Sequence, residues 1–281
     1  MSGGARSLCL SHRALRPLTG PLVNRELNDL RQRRLPSLHE MRSRRHNVRN
    51  YPVDQQGALF REDVVDLATL GLKGRNYYNR SDNPPYHASI PGSLPGLYLR
   101  RSAAERLRQV NARLATMGLG LFVHDGLRPI EVQRYFHDVW MPARVREKHP
   151  DWTDAQVIEE TERFWAKPSV DDNSPAPHAT GGATDLTLQS LASGEHLYMG
   201  SIFDDVTEIA YTDHFEQDRN VRGFSDQEAQ ANRRVLYWTM TEAGFVNYFN
   251  EWWHFSWGDQ MWAKISGVPA AHYGIAPIPG R

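Results

Sequence analysis

Polar and apolar positions along this chain change period several times, and each change marks an element. Leu107, Val110, Leu114 and Met117 recur at the three-and-four spacing of one helix face, with Ser102 and Glu105 placed as a capping box before them and Gly118 as the stop after them. Leu119 to Val123 is an unbroken apolar run, the mark of a buried strand, and it delivers the loop from His124 to Pro129. A helix is expected from Ile130 to about Arg146, and another from Thr153, where Gln156 completes a second capping box. Ala183 to Gln189 alternates as a strand, and Ser193-Gly194 reads as a turn. Ser225 and Glu228 form a third capping box, opening a long helix that runs through Ala243 and is ended by Gly244. Phe245 to Tyr248 and Trp252 to Trp257 predict a closing hairpin with Glu251 at its turn, and Asp63 to Leu70 predicts a strand entering the domain. Helices mixed with such strands give an α+β class, a mostly antiparallel central sheet flanked by helices.

Composition changes this picture only at the N-terminus. Residues 1 to 50 hold eleven Arg, no Lys and only Glu26, Asp29 and Glu40, an excess of eight positive charges that the remaining 231 residues balance with eight negative ones. With Pro17, Pro21, Pro36 and Pro52 and little apolar content, residues 1–58 read as an Arg-rich extension, partly mobile or draped on the body, with at most one short helix near Asn24 to Arg34. The Ser43-Arg-Arg-His46 run reads as a solvated charge run before an anion site. An organellar transit peptide is one reading of the first residues, alongside a solvated or partner-binding extension or a misassigned start codon. Residues 59–281 form the body, which is acidic and shows no nucleic-acid footprint. Cys9 is the only cysteine, so an intrachain disulfide and a cysteine-ligated structural zinc are excluded, which suits a reducing compartment such as the cytoplasm. No segment approaches the ~20 apolar residues of a membrane span.

Chemistry concentrates in two stretches. Phe249 to Trp257 places Glu251, a candidate general base, three residues before His254, a candidate metal ligand, in a dense aromatic setting. His178 to Asp185 supplies two more ligand types around Gly181 and Gly182. Seven is an odd separation, so on one straight strand His178 and Asp185 would face opposite ways. The two glycines let the chain bend and bring both to one metal. His178, Asp185 and His254 on one zinc with an open position for water, Glu251 as base and Arg128 as oxyanion donor describe a mononuclear zinc hydrolase. Trp252, Trp253 and Trp257 read as core, Asp204 as a cap for a helix near Val206, and His87, His124, His137 and His214 as structural.

In order along the chain, Asp-Gly-Leu-Arg-Pro (125 to 129), His-x-x-Gly-x-Ala-x-Asp (178 to 185), Met-Gly-x-x-Phe-Asp (199 to 204), Glu-Ala-Gln-x-Asn-Arg-Arg (228 to 234) and Glu-Trp-Trp-His (251 to 254) closely resemble the VanX-like D-alanyl-D-alanine dipeptidases, over roughly residues 60 to 265. The resemblance implies the fold shared by zinc D,D-carboxypeptidases and the Hedgehog signalling domain. It implies one zinc per chain on His178, Asp185 and His254, Glu251 as base and Arg128 stabilising the transition state. It also implies that Asp204 helps hold the substrate's ammonium group. The implied substrate is a free D-Ala-D-Ala dipeptide, turned over in the cytoplasm. Two departures stand out. Leu127 occupies a position often aromatic in the family, and Ala176 and Pro177 stand where members related to vancomycin resistance carry serines that help bind the substrate carboxylate. The alternatives are a cell-wall endopeptidase or carboxypeptidase of the same fold and a non-catalytic zinc-fold binding protein. The exact dipeptide, the role of the extension and the oligomeric state, homo-oligomer included, stay open.

Overall fold

A computed structural model describes residues 25–45 and 47–280. Cys9, the transit-peptide reading of the first residues and the His46 end of the basic run lie outside the described residues. The chain opens with helices α1 (Arg25–Gln32) and α2 (Leu38–Arg45) and a 3-10 turn, Val48–Asn50. Strand β1 (Val64–Asp66), β2 (Lys73–Gly74), β3 (Tyr98–Arg100), helix α3 (Arg101–Ala115) and β4 (Leu119–Asp125) follow. Helix α4 (Ile130–Tyr135) passes through a π-helical turn, Phe136–Trp140, into α5 (Met141–Lys148), before α6 (Asp154–Thr161) and β5 (Ala183–Ser190). The last part holds α7 (Phe224–Glu242), β6 (Val246–Asn247), β7 (His254–Ser256) and α8 (Gln260–Ser266).

The main sheet has the order β2-β4-β5-β7-β6, with only β2 and β4 parallel, so the expected mostly antiparallel sheet is what forms. Strands β1 and β3 pair separately. Along β5, Leu186 and Leu188 point to one face, where they meet Val123 and Leu121 of β4 in register and are covered by α3 and α7. Asp185, Thr187 and Gln189 alternate to the other face and are just as buried. One face of the sheet is therefore an apolar core and the other a buried polar floor.

A bulge decides which residue of β4 reaches that floor. Val123 pairs with Leu186 but Asp125 pairs with Asp185, so two residues of β4 oppose one of β5. In a straight strand Asp125 would share the apolar face of Leu121 and Val123. The extra residue, His124, turns it to the side of Asp185.

Where local pattern and tertiary contact compete, tertiary contact wins. The Thr153 capping box forms, with Thr153 N donating to Gln156 Oε1 at 2.9 Å and Gln156 N to Thr153 Oγ1 at 3.4 Å. The Ser102 box does not: Ser102 N and Oγ both donate to the Glu62 carboxylate, at 3.0 and 2.5 Å, and Glu105 pairs with Arg108. The Ser225 box is also missing, since α7 begins at Phe224 and Asp226 accepts from Arg222 N instead. The strand expected over Asp63 to Leu70 ends at Asp66, whose side chain accepts from Ala68 N and starts a 3-10 turn, Leu67–Leu70.

The helix expected near Asn24 to Arg34 is α1, and α2 is an unforeseen second. The reason is visible in α2: it buries Met41 but carries no apolar stripe for a periodicity to show. Helix α1 buries Leu30 against α7 and ties Arg31 to Glu228 at 2.5 Å; just past its end Arg34 pairs with Glu216 at 3.4 Å and Arg33 stacks over Trp238 at 3.4 Å.

Candidate active site

Residues paired across neighbouring strands point to the same side of a sheet. Asp185 stands opposite Asp125 on one side and His254 on the other, so these three side chains form a row across the polar floor. His178 arrives from above. It sits on a 3-10 turn, Pro177–Thr180, that ends at Gly181 in the left-handed region, at φ 70 degrees. At Gly182 a side chain is excluded, because a Cβ would lie 2.4 Å from the Trp257 carbonyl oxygen. The turn is held by Arg100, which is fully buried and donates to the carbonyls of Thr180 at 2.8 Å, Gly274 at 3.0 Å and Glu62. The glycine bend thus resolves the odd separation of His178 and Asp185 as expected.

Three ligand-type atoms converge. His178 Nε2 lies 3.2 Å from His254 Nδ1 and 3.3 Å from Asp185 Oδ2, and His254 Nδ1 lies 3.0 Å from Asp185 Oδ1. His178 Nδ1 donates to the Gly126 carbonyl at 2.8 Å, which leaves a lone pair on Nε2 facing inward. Asp185 Oδ1 is buried with no hydrogen-bond partner. Electron pairs gathered in a buried space repel one another unless a cation lies among them. Two imidazole nitrogens and one carboxylate are the donor set of a first-row divalent ion, and the three residues fit one. Burial alone would raise the Asp185 pKa, but His178 and His254 hold it well below the usual carboxylate range. Burial lowers that of His254, which keeps the imidazole neutral, as a ligand must be.

Glu251 lies at the turn between β6 and β7. Asn247 donates to the carbonyls of Glu251 and His254, at 3.1 and 2.9 Å, and so fixes that turn. Glu251 Oε2 comes to 3.7 Å from His254 Nδ1, curling back over the ligand cluster. Arg128 follows the bulged end of β4. Its Nε donates to Asp125 Oδ2 at 2.8 Å, one terminal nitrogen to Gln133 Oε1 at 2.9 Å, and the other reaches Asp185 Oδ2 and the Tyr78 hydroxyl, both at 3.2 Å. Burial works against its charge, but Tyr78, Asp125 and Asp185 outweigh that and raise its pKa.

Asp204 caps no helix; it takes φ 60 degrees, and the next helical turn is capped by neither it nor any other side chain. Its Oδ2 accepts from the hydroxyls of Tyr78 at 2.9 Å and Tyr86 at 3.0 Å. Burial, then the charge of Asp185, raises its pKa to about 7 against the pull of Arg128 and those hydroxyls. One cavity is lined by His178, Asp185, His254, Glu251, Arg128 and Asp204 together. Trp253 also lines it, while Trp252 and Trp257 are core.

Sequence reasoning missed Tyr78, Tyr86, Gln133 and Trp165. The first two lie in the connection between β2 and β3, and Trp165 packs its ring 5.0 Å from the Arg128 guanidinium carbon. Only the local density of Asn76-Tyr-Tyr78 offers a signal. His124 is structural, buried against Phe203 with its pKa lowered to about 3 by burial, and His137 pairs with Asp138 at 2.6 Å. Among the described residues no helix is long and apolar enough to cross a membrane.

Residues 96–273 match the family described as D-ala-D-ala dipeptidase, Peptidase_M15. A D-alanyl-D-alanine dipeptidase of Enterococcus faecium is 35% identical over 201 residues, which cover 71% of this chain and 90% of that protein. One of Synechocystis is 30% identical over 213 residues, 70% of this chain and 83% of that protein. One of Escherichia coli is 30% identical over 195 residues, 69% of this chain and 83% of that protein.

Proposed function

The chain belongs to the D-Ala-D-Ala dipeptidase family Peptidase_M15, and from that premise we propose that it hydrolyses D-alanyl-D-alanine, or a closely related D,D-dipeptide, to free amino acids in the cytoplasm. His178, Asp185 and His254 would hold one zinc ion. The observation that carries this reading is their convergence around the partnerless Asp185 Oδ1, with Glu251 Oε2 3.7 Å from one ligand atom.

Zinc bound there would supply a Lewis acid for the scissile carbonyl and a water acidic enough to lose a proton near neutral pH. The rest is assigned to the chain. Glu251 takes the proton of the attacking water and returns it to the leaving amine. Arg128, locked by Asp125 and Gln133, aims its donors at the oxygen that becomes negative, without reorganising as charge develops. Asp204 faces the substrate's ammonium group, and the Tyr78 and Tyr86 hydroxyls orient the Asp204 carboxylate. We take residues 59–281 as the domain that does this, with the preceding residues as an extension.

The test is alanine release by the zinc-loaded protein from D-Ala-D-Ala, L-Ala-L-Ala and N-acetyl-D-Ala-D-Ala, with Glu251→Gln as control. Hydrolysis of the first alone, lost in the variant, is the expected result. Cleavage of the N-acetylated substrate at a similar rate would replace the dipeptidase with a carboxypeptidase, and zinc binding without turnover would replace it with a binding protein.

A further inference from the structure

The metal cavity is lined from residues inside the family match, but it has a neighbour that is not. A second cavity shares the wall residues Glu162, Ala166, Pro177 and Met261 with it, and is completed by Val48, Arg49 and Lys167 among others. Asp204 lines only the first chamber and Arg49 only the second, with Pro177, next to the ligand His178, between them.

Arg49 is held in place there. It lies on the 3-10 turn Val48–Asn50, and the buried side chain of Gln260 donates to its carbonyl at 3.1 Å as well as to those of Tyr51 at 2.5 Å and Asn173 at 3.0 Å. Its guanidinium donates to the Lys167 carbonyl at 2.9 Å, one use among five N–H donors, and it has no salt bridge among the described residues. Glu162, the carboxylate whose charge acts on it, lies 3.4 Å from His137 Nε2, and Asp259 caps α8 by accepting from Trp262 N at 2.8 Å.

A dipeptide is a zwitterion, and its carboxylate needs a donor at the end of the site away from its ammonium group. Arg128, held by Asp125, Asp185 and Gln133, is assigned to the scissile oxygen. The residues just before His178 present no side-chain donor, being Ala176 and Pro177. We propose that Arg49, brought to the adjoining cavity by the segment before the family match and seconded by Lys167, binds the C-terminal carboxylate of the dipeptide and makes the enzyme select for it. This rests on the dipeptidase reading above, and it assigns the segment before the family match a part in specificity.

The experiment compares D-Ala-D-Ala with its C-terminal amide, using the zinc-loaded full chain and the Arg49→Ala and Arg49→Lys variants. A charge-assisted hydrogen bond to the carboxylate is worth about a ten- to hundredfold preference. The ratio of kcat/KM for dipeptide over amide is expected to fall by about that factor in Arg49→Ala, mainly through KM, and to recover in part in Arg49→Lys. An unchanged ratio in both variants overturns the proposal. Calorimetric binding of the dipeptide and the amide to zinc-loaded Glu251→Gln, with and without Arg49→Ala, keeps the two readings apart. A binding preference for the dipeptide that vanishes with Arg49→Ala supports the anchor even if no substrate turns over; equal binding of dipeptide and amide overturns it. Bound zinc and the melting temperature of each variant report whether it is folded. If Arg49→Ala is not, Arg49→Gln takes its place with the same expected outcomes.

Discussion

Asp204 shows how a single side chain is set between two demands. Its surroundings favour the neutral form, burial first and Asp185 second, and lift its pKa to about 7, while an ammonium group is held best by the carboxylate. In the free enzyme kcat/KM is therefore expected to rise with pH through about 7. Tyr86→Phe removes a donor that favours the charged form, so that limb should move to higher pH; a pH profile of kcat/KM for both proteins checks it. The stability sign is opposite. A carboxyl whose folded pKa lies above its unfolded value binds its proton more tightly when folded, so its contribution is present at low pH and is lost as pH rises through about 7. Glu251→Gln keeps the size and hydrogen-bonding atoms of the side chain but cannot take a proton. A fall in kcat of about a hundred- to ten-thousandfold, with zinc content unchanged, is expected from rapid kinetics and metal analysis. The candidate ligand residues were legible because their short motifs, each common by itself, occur together and in order along the chain. Tyr78 and Gln133 were not, because what makes them part of the site is contact across many residues of chain.

At the scale of elements, the loop that carries His178 depends on absent side chains more than on present ones. In Gly182→Ala the new methyl would meet the Trp257 backbone carbonyl at 2.4 Å, and backbone cannot swing aside as a flexible side chain can. Strand pairing between β5 and β7 at that end must then shift. A loss of about 1–3 kcal/mol in urea unfolding is expected, together with weaker zinc binding, because His178 moves with the turn. Thr153→Ala makes the contrast: it removes a formed cap on α6 far from the ligands, at a cost of about 1 kcal/mol and no change in KM. The capping boxes also show what a local pattern can and cannot say. Thr153 has no competing partner, so its box forms. Ser102 has the Glu62 carboxylate within 2.5 Å, which no reading of residues 102 to 105 could reveal. The bulge at His124 was equally hidden, since the sequence shows an apolar run followed by a polar loop whether or not an extra residue is inserted.

For the whole molecule, the charge split between the N-terminal segment and the body was visible in the sequence, and its use inside the chain was not. Arg31 of α1 and Arg34 just after it meet Glu228 and Glu216. Such exposed pairs each contribute little, so what holds the site together is sought in the polar floor. There β5, β7 and the turn before β5 each contribute one ligand atom to the same point. With the ion removed, Asp185 Oδ1 has no partner and the inward lone pairs face one another, so the metal should join three segments that otherwise repel at their centre. Binding only to the folded state stabilises by mass action, by about 4 kcal/mol when free zinc is a thousand times its dissociation constant. At about 2–4 °C per kcal/mol for a domain of this size, a chelator is expected to lower the melting temperature by roughly 8–16 °C, and excess zinc to restore it. His178→Ala should melt at one temperature with or without zinc. If the wild-type protein also melts at one temperature across that range, the three residues are a buried polar cluster and not a metal centre, and the assignment of Glu251 and Arg128 to a hydrolytic reaction falls with them.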